Sequence, residues 1–158
     1  MEHTIHLLAK FSDQLGFTSD TIAEHNKVIK DKGAVWFGKL GRRLGKEPLE
    51  CLNQQCAHGI PTYLYLVQRR EGTFQVFRGN VLEMTYTSGL HSRHLIPAYY
   101  QQHRLTENIH FWVRLSHIKR VNDGESALSK LILPTTGFPI LRTLLKSMNP
   151  MFVVRSQQ

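Results

Sequence analysis

One segment decides how the rest of the chain is interpreted: Gly33-Ala-Val-Trp-Phe-Gly-Lys-Leu-Gly-Arg-Arg-Leu-Gly-Lys46. Its first glycine is typical of a residue that ends a helix, and the apolar run around Trp36 predicts a short strand. The glycine-rich second half contains no acid and four cations, Lys39, Arg42, Arg43 and Lys46. An aromatic ring beside a basic loop suits a ligand that joins a flat ring to a phosphate group. The segment therefore predicts a site for such a ligand.

The composition predicts one soluble domain with a polyanionic partner. The chain has 158 residues, 41% of them apolar and 20% charged, which suits a single domain over residues 1–158. We expect a cytoplasmic protein without membrane contact, because no apolar run could span a bilayer and the N-terminus lacks a secretory pattern. Cys51 and Cys56 are expected to stay reduced. The net charge of +8 favours nucleic acid as the partner.

The order of the expected elements favours an α+β fold. Apolar spacing predicts a helix over residues 3–17 and a second helix that begins after Thr18, Ser19 or Asp20 as its N-cap and stops at Gly33, so residues 1–32 are expected to form N-terminal helices. A strand over 34–40 precedes the basic loop 41–46 and a helix over 48–56.

The second half of the chain is richer in strands. Expected strands cover residues 63–67, 73–77, 81–87, 110–121 and 151–154, with an irregular region over 88–108 and a helix over 139–148. Because the strands do not alternate regularly with helices, a doubly wound parallel sheet is disfavoured. The pattern predicts a small, mostly antiparallel β-barrel flanked by helices.

Sequence patterns for catalysis and for metal binding are weak. The 12 acids are scattered, and no phosphate-loop or dinucleotide fingerprint is present. We therefore expect no cofactor, no metal and no catalytic residue. His91-x-x-His94 leaves a metal site or a histidine base as an open alternative. Ser116 and His117 cannot form a dyad on a strand, because neighbouring side chains point to opposite faces.

Aromatic pairs beside cations favour binding over catalysis. The three pairs are Trp36-Phe37, Tyr99-Tyr100 and Phe111-Trp112. Rings can stack on bases while cations hold the phosphate backbone. Strand alternation places Trp112 on one face with Arg114 and Ser116, and Phe111 on the opposite face with the aliphatic residues. We therefore expect Trp112 to be a site residue and Phe111 to lie in the core.

The chain resembles the PUA-like superfamily, in particular its EVE and YTH-like branch of modified-base readers. The resemblance lies in the helix ending at Lys32-Gly33, the strand 35–39, the hairpin 63–77, and the stretches 96–100 and 111–118. It implies a flipped base held in an aromatic pocket at one end of the barrel. The residues implied for that pocket are Trp36, Trp112, Tyr99 and Tyr100, with Ser116 and Asn80 as polar readers. Phe37 departs from the pattern, since a second tryptophan is expected there.

The resulting hypothesis is a non-catalytic nucleic-acid binding module for a flipped, methylated base, with DNA and RNA both left open. It would serve as the recognition part of a prokaryotic defence or regulatory system, beside a separate effector protein or domain. Backbone contacts are expected from Lys39, Arg42, Arg43, Lys46, Arg93, Arg104 and Arg114. The alternatives are an ASCH-like enzyme, either a ribonuclease or a small amidohydrolase, and a nucleotide-sensing or protein-interaction module.

Overall fold

The fold is built on one seven-stranded sheet. The computed structural model describes residues 4–13, 20–41 and 43–157. The strands are β1 (Ile5–Lys10), β2 (Val35–Leu40), β3 (Tyr63–Arg70), β4 (Thr73–Tyr86), β5 (Ile109–Arg120), β6 (Leu131–Ile132) and β7 (Met151–Ser156). They lie in the order β2-β5-β4-β3-β1-β7-β6, and β1 and β3 form the parallel pair in an otherwise antiparallel sheet. The expected α+β class and mostly antiparallel sheet are confirmed.

The helices are short and lie between the strands. They are α1 (Thr21–Lys32), α2 (Lys46–Ala57), α3 (Ala98–Gln102), α4 (Gly124–Ser129) and α5 (Ile140–Lys146), with 3-10 turns at Thr87–Gly89, Arg93–Leu95 and Leu105–Asn108. Helix α1 begins where the sequence predicts, because the Asp20 carboxylate accepts a hydrogen bond from the Ala23 amide. It ends at Gly33, which adopts the left-handed conformation with φ of 86°.

The prediction of a helix over residues 3–17 is wrong for residues 5–10, which form β1. Leu7, Leu8 and Ala9 are consecutive and all buried, because both faces of this strand are covered. A continuous apolar run of this length does not distinguish a buried strand from a buried helix segment. Residues 14–19, which include the last part of that expected helix (14–17), lie outside the described part of the chain.

The sheet curls but is not closed into a barrel. One core cluster draws buried side chains from β1 to β5, for example Leu7, Phe37, Leu64, Met84 and Phe111, so these strands wrap around it. Across the described residues, β2 pairs only with β5 and β6 only with β7, which leaves β2 and β6 as the two edges. At the open seam between β1 and β2, the Lys39 ammonium donates a hydrogen bond of 2.9 Å to the Lys10 carbonyl.

The outer face of the sheet is covered at both ends. Helices α4 and α5 contribute Leu128, Ile140 and Leu144 to a cluster over β1, β3 and β7. The region 88–108, which the sequence predicts as irregular, folds into α3 and two 3-10 turns that cover β2 and β5. Neighbouring residues on β5 are therefore both buried: Phe111 and Trp112 are each 0% exposed.

Gly38 allows the side chains of Trp112 and Ile109 to pack closely against the outer face of β2. It lies opposite Trp112 in the register of β2 and β5. A Cβ atom at Gly38 would lie 2.8 Å from Trp112 Cζ3 and 2.8 Å from Ile109 Cδ1, closer than packed carbon atoms tolerate. The glycine is thus required by close approach rather than by its backbone angle.

We expect Gly38→Ala to lower the free energy of unfolding by about 1–3 kcal/mol, because the added methyl group overpacks the strand interface. Urea unfolding followed by circular dichroism measures the change. Gly45→Ser is the matched control, since a Cβ there meets only Pro48 side-chain atoms at 3.7 Å or more and serine suits the N-cap of α2. A Gly38→Ala protein as stable as the wild type would contradict this packing.

Candidate nucleic-acid interface

A cavity of about 380 Å³ lies at the open seam of the sheet. Strand β1 ends on one side of it and β2 runs along the other, while α3 and the following 3-10 turn close the outer side. Its aromatic wall consists of Phe11, Phe37, Tyr99 and Tyr100, and its polar wall of Lys10, Ser12, Thr21 and Lys39. The seam exists because β1 and β2 are not paired, so the cavity follows directly from the incomplete closure of the sheet.

A buried polar chain holds the aromatic wall in place. The Gly38 amide donates to the Tyr100 hydroxyl oxygen at 3.1 Å, and that hydroxyl lies 2.8 Å from His25 Nε2. His25 Nδ1 lies 2.7 Å from the Thr21 carbonyl, which can only accept, so Nδ1 carries the proton and Nε2 accepts from Tyr100. The Tyr100 ring is thereby fixed between an edge strand and helix α1.

Burial keeps His25 and Tyr100 uncharged. Burial lowers the pKa of His25 to about 4, although the Thr21 carbonyl and Glu24 have smaller effects that raise this pKa. Burial also raises the pKa of Tyr100 well above its usual value, with a further contribution from neighbouring Tyr99. At neutral pH the wall therefore consists of neutral groups, and the charges of the cavity come from its lysines.

The lysine side of the cavity carries positive charge without a neutralising acid. Among the described residues neither Lys10 nor Lys39 takes part in an ion pair. Burial lowers the pKa of Lys39, and the nearby Lys10 charge lowers it further; burial also lowers the pKa of Lys10. Such a pair of ammonium groups favours an anionic ligand, which would offset their desolvation and mutual repulsion.

The structure corrects the expected pocket between the two tryptophans. Trp36 and Trp112 are both 0% exposed and belong to the cluster that α3 covers. The Trp36 indole donates to the His91 carbonyl at 2.8 Å, and the Trp112 ring stacks on Tyr100 with 5.9 Å between ring centroids. Their faces are occupied by protein, because both sides of the sheet are covered here, so neither ring is open to a base.

The other residues predicted for the base pocket separate into two groups. Tyr99 and Tyr100 line the cavity. Ser116 is half-buried on β5 and Asn80 is exposed on β4, opposite Tyr63, and neither lines it. Of the residues predicted for the base pocket, the tyrosine pair alone lines the cavity, and its two residues are 7% and 3% exposed.

The predicted backbone-binding cations are also distributed unevenly. Lys39 lines the cavity, whereas Arg114 donates to Glu83 at 2.9 Å and is already neutralised. Arg43 lies over the Tyr86 ring at 4.6 Å and is exposed. Three further residues are exposed, namely Lys46, Arg93 and Arg104. Arg42 lies outside the described residues.

The described histidines in the second half of the polypeptide chain do not form a metal site. Within residues 4–13, 20–41 and 43–157, no group of three or more potential metal ligands occurs. His91 Nε2 lies 2.7 Å from Glu83 Oε1, and His91 Nδ1 lies 3.0 Å from the Ser92 hydroxyl. Glu83 also accepts from Arg114, so this carboxylate joins a surface network over Trp36.

The cavity residues that the sequence does not predict include Lys10, Phe11, Ser12 and Thr21. The first three lie at the end of β1 and just after it, where a helix was expected, so their approach to β2 could not be inferred. His25 on helix α1 is 0% exposed. A signal for its burial was present, because Ile22, His25 and Ile29 recur at the spacing of one helix face.

The fold and the cavity define the class as an α+β domain with a curled, mostly antiparallel sheet and a ligand-sized cavity at its open seam. The chain belongs to the PUA-like family, whose model matches residues 7–135. Domains of this family commonly bind nucleic acids, RNA in particular. Neither the curated proteins nor the solved structures gave a match. In the described part of the chain, no helix has the length and apolar character needed to cross a membrane.

Proposed function

We propose that the protein is a non-catalytic nucleic-acid binding module that receives a flipped base in the cavity at the seam between β1 and β2. The observation that carries the proposal is the make-up of this cavity, which combines the rings of Phe37, Tyr99 and Tyr100 with two lysines that no described acid neutralises. Aromatic rings hold bases by stacking or edge contact, and ammonium groups attract the charged backbone.

The size of the cavity supports a base as its occupant. Its volume of about 380 Å³ falls at the lower end of the range of small-molecule pockets, roughly 300–1,000 Å³. Extruding a base from a strand costs a few kcal/mol, and least when the base is unpaired or modified. Contacts with a preformed aromatic wall offset this cost, because Tyr100 is already fixed by the Gly38 amide and His25.

The exposed cations support a backbone contact outside the cavity. Arg43, Lys46, Arg93 and Arg104 are exposed on a chain of net charge +8. Phosphate contacts of this kind raise affinity for any sequence and weaken as salt rises. We therefore assign base selection to the cavity and general affinity to these residues, with Arg114 excluded by its ion pair with Glu83.

The finer parts of the proposal follow the resemblance to the EVE and YTH-like branch. The preferred base would carry a methyl group, which gains apolar contact with Leu105 and Ile109 in the cavity wall. The whole chain would act as one domain, since β7, which follows the matched region, pairs with β1 in the same sheet. In a prokaryotic defence or regulatory system, it would supply recognition to a separate effector.

Fluorescence anisotropy with short strands tests the proposal. The probes are single-stranded and double-stranded RNA and DNA that carry one methylated adenine or cytosine, or none, at two salt concentrations. We expect the methylated single strand to bind most tightly. Tyr99→Leu, which keeps an apolar side chain but removes the ring, should weaken that binding by about 5- to 150-fold, the equivalent of 1–3 kcal/mol for one base contact.

Tyr63→Leu is the matched control, because Tyr63 is a half-buried tyrosine on β3 that does not line the cavity. It should change the affinity by less than twofold. Equal binding of all probes that disappears at high salt would remove base recognition from the proposal. A protein that binds none of the strands would overturn the proposal altogether.

A further inference from the structure

Two lysines on facing strands form the polar end of the cavity. Lys10 is the last residue of β1, and Lys39 lies one residue before the end of β2. The Lys39 ammonium donates to the Lys10 carbonyl at 2.9 Å, and the Lys10 ammonium donates to the Ser147 carbonyl at 2.6 Å. An ammonium group has three N–H donors, so each lysine keeps donors beyond these single bonds.

Both ammonium groups are partly buried and lack a counter-charge. Lys10 and Lys39 are half-buried, and no carboxylate lies within 4.0 Å of either nitrogen in the part of the chain that the structure describes. Burial lowers the pKa of Lys39, and the nearby Lys10 charge lowers it further. A bound anion would remove this mutual repulsion and use the remaining donors.

A third, independent observation also indicates a ligand. Thr21 is 4% exposed and lines the same cavity, yet its hydroxyl oxygen has no hydrogen-bond partner among the residues that the structure describes. Buried hydroxyl groups without a partner are uncommon in folded proteins, because their desolvation is not compensated. A hydroxyl at this position can donate to, or accept from, a polar group that enters the cavity.

We infer that the lysine end of the cavity binds a phosphate group, which belongs to the nucleotide whose base lies against Phe37, Tyr99 and Tyr100. The inference rests on the proposed function and deepens it, because the recognised unit becomes a nucleotide rather than a base. A phosphate offers several acceptor oxygens and at least one negative charge, which matches two ammonium groups better than a neutral polar group would. It can come from the strand backbone or from a free mononucleotide.

Two measurements distinguish these sources. The first is calorimetric titration of adenosine, guanosine, cytidine and uridine and of their 5′-monophosphates at constant ionic strength. The second is anisotropy with the best-binding strand, in which a neutral methylphosphonate replaces one linkage beside the target base or, as a control, one distant from it. Lys10→Met/Lys39→Met is the test variant. Lys30→Met/Lys119→Met removes the same charge from two exposed positions and is its control.

We expect the wild-type protein to prefer the charged ligand about tenfold or more in at least one measurement. The test variant should reduce this preference to less than twofold while it still binds the uncharged ligand, and the control variant should keep it. A preference for strands with charged linkages assigns the phosphate to the backbone, and a preference confined to monophosphates assigns it to a free nucleotide.

The inference and the proposed function fail in different ways. The phosphate site is overturned if the wild-type protein does not prefer the charged ligand, or if the test variant keeps the full preference for it. In either case, strand binding that depends on Tyr99 would still support the proposed function. Lysine-dependent binding of monophosphates without any binding of strands has the opposite meaning: the phosphate site is supported, and the nucleic-acid function is overturned.

Discussion

Trp112→Ala is expected to lower the free energy of unfolding by about 3–5 kcal/mol, the range typical of a large aromatic side chain deleted from a core. Trp112 is 0% exposed and stacks on Tyr100. It lies opposite Gly38, which has no Cβ atom, so the Trp112 ring packs directly against the backbone of β2. The variant would leave a cavity between β5 and α3. It would also remove the hydrogen bond of 3.2 Å that the indole donates to the Thr87 hydroxyl, which itself donates to the Ile109 carbonyl. Urea unfolding at pH 7.5 measures the loss.

This experiment distinguishes a core residue from a base-stacking residue. Leu115→Ala is the comparison, because Leu115 is also 0% exposed on β5 but belongs to the cluster on the other face of the sheet. Both variants should be less stable than the wild type. The affinity of each variant for the strand should therefore be calculated from its concentration of folded protein. If Trp112→Ala loses less than about 1 kcal/mol of stability but abolishes binding, Trp112 contacts the base and the cavity at the seam is not the site.

Acidification from pH 7 to pH 4 is expected to destabilise the fold through two buried histidines, His25 and His6. Burial lowers the pKa of each to about 4, and Arg78 contributes to the shift of His6. In the unfolded chain both protonate near pH 6.5. Between pH 6.5 and pH 4 the unfolded state therefore binds more protons, so stability is complete above pH 6.5 and falls as the pH approaches 4.

The expected loss is about 3 kcal/mol for each histidine at pH 4, because a pKa of about 4 in the folded state lies well below the ordinary value near 6.5. Protonation would also remove two acceptors, His25 Nε2 for the Tyr100 hydroxyl and His6 Nδ1 for the Tyr63 amide. Urea unfolding at pH 7.5, 6.0, 5.0 and 4.5 gives the profile. His25→Asn should flatten it, whatever its effect on absolute stability, while His117→Asn on the exposed end of β5 should leave it unchanged.

An unchanged slope in His25→Asn would mean that His25 is already protonated in the folded state or that carboxylates dominate the profile. The cavity wall depends on the hydrogen bonds that link Thr21, His25, Tyr100 and Gly38. The affinity for the nucleic-acid strand should therefore also decrease when the pH is lowered below 5. Affinity that rises as the pH falls would instead indicate that phosphate contacts outweigh the positioning of Tyr100.

The features that the sequence predicts correctly are local. Asp20 and Gly33 mark the ends of α1, and Glu71-Gly72 makes the two-residue turn between β3 and β4, with φ of 52° and 80°. Alternation and apolar runs identify β3, β5 and β7, whereas the two strands expected over 73–77 and 81–87 form the single strand β4. The low share of regular βα units indicates the α+β class. The site roles of Tyr99, Tyr100 and Lys39 stay predictions, and all three residues line the cavity.

The features that it does not predict depend on contacts between distant segments. Strand alternation shows that Phe111 and Trp112 face opposite ways, but it does not show that the region 88–108 covers the outer face and buries Trp112. The residues 5–10 form a strand because β3 and β7 lie on either side of them, a pairing across more than fifty residues. Lys10 enters the site for the same reason.

By itself, the sequence thus determined an α+β fold and a basic chain rich in aromatic pairs, since charge, caps, turns and periodicity are properties of neighbouring residues. The tertiary structure alone decided where the cavity lies. The cavity exists because the sheet curls until β1 and β2 approach without pairing, which brings Lys10 and Lys39 together at its polar end. Curl and closure are properties of the whole sheet, and no short stretch of sequence encodes them.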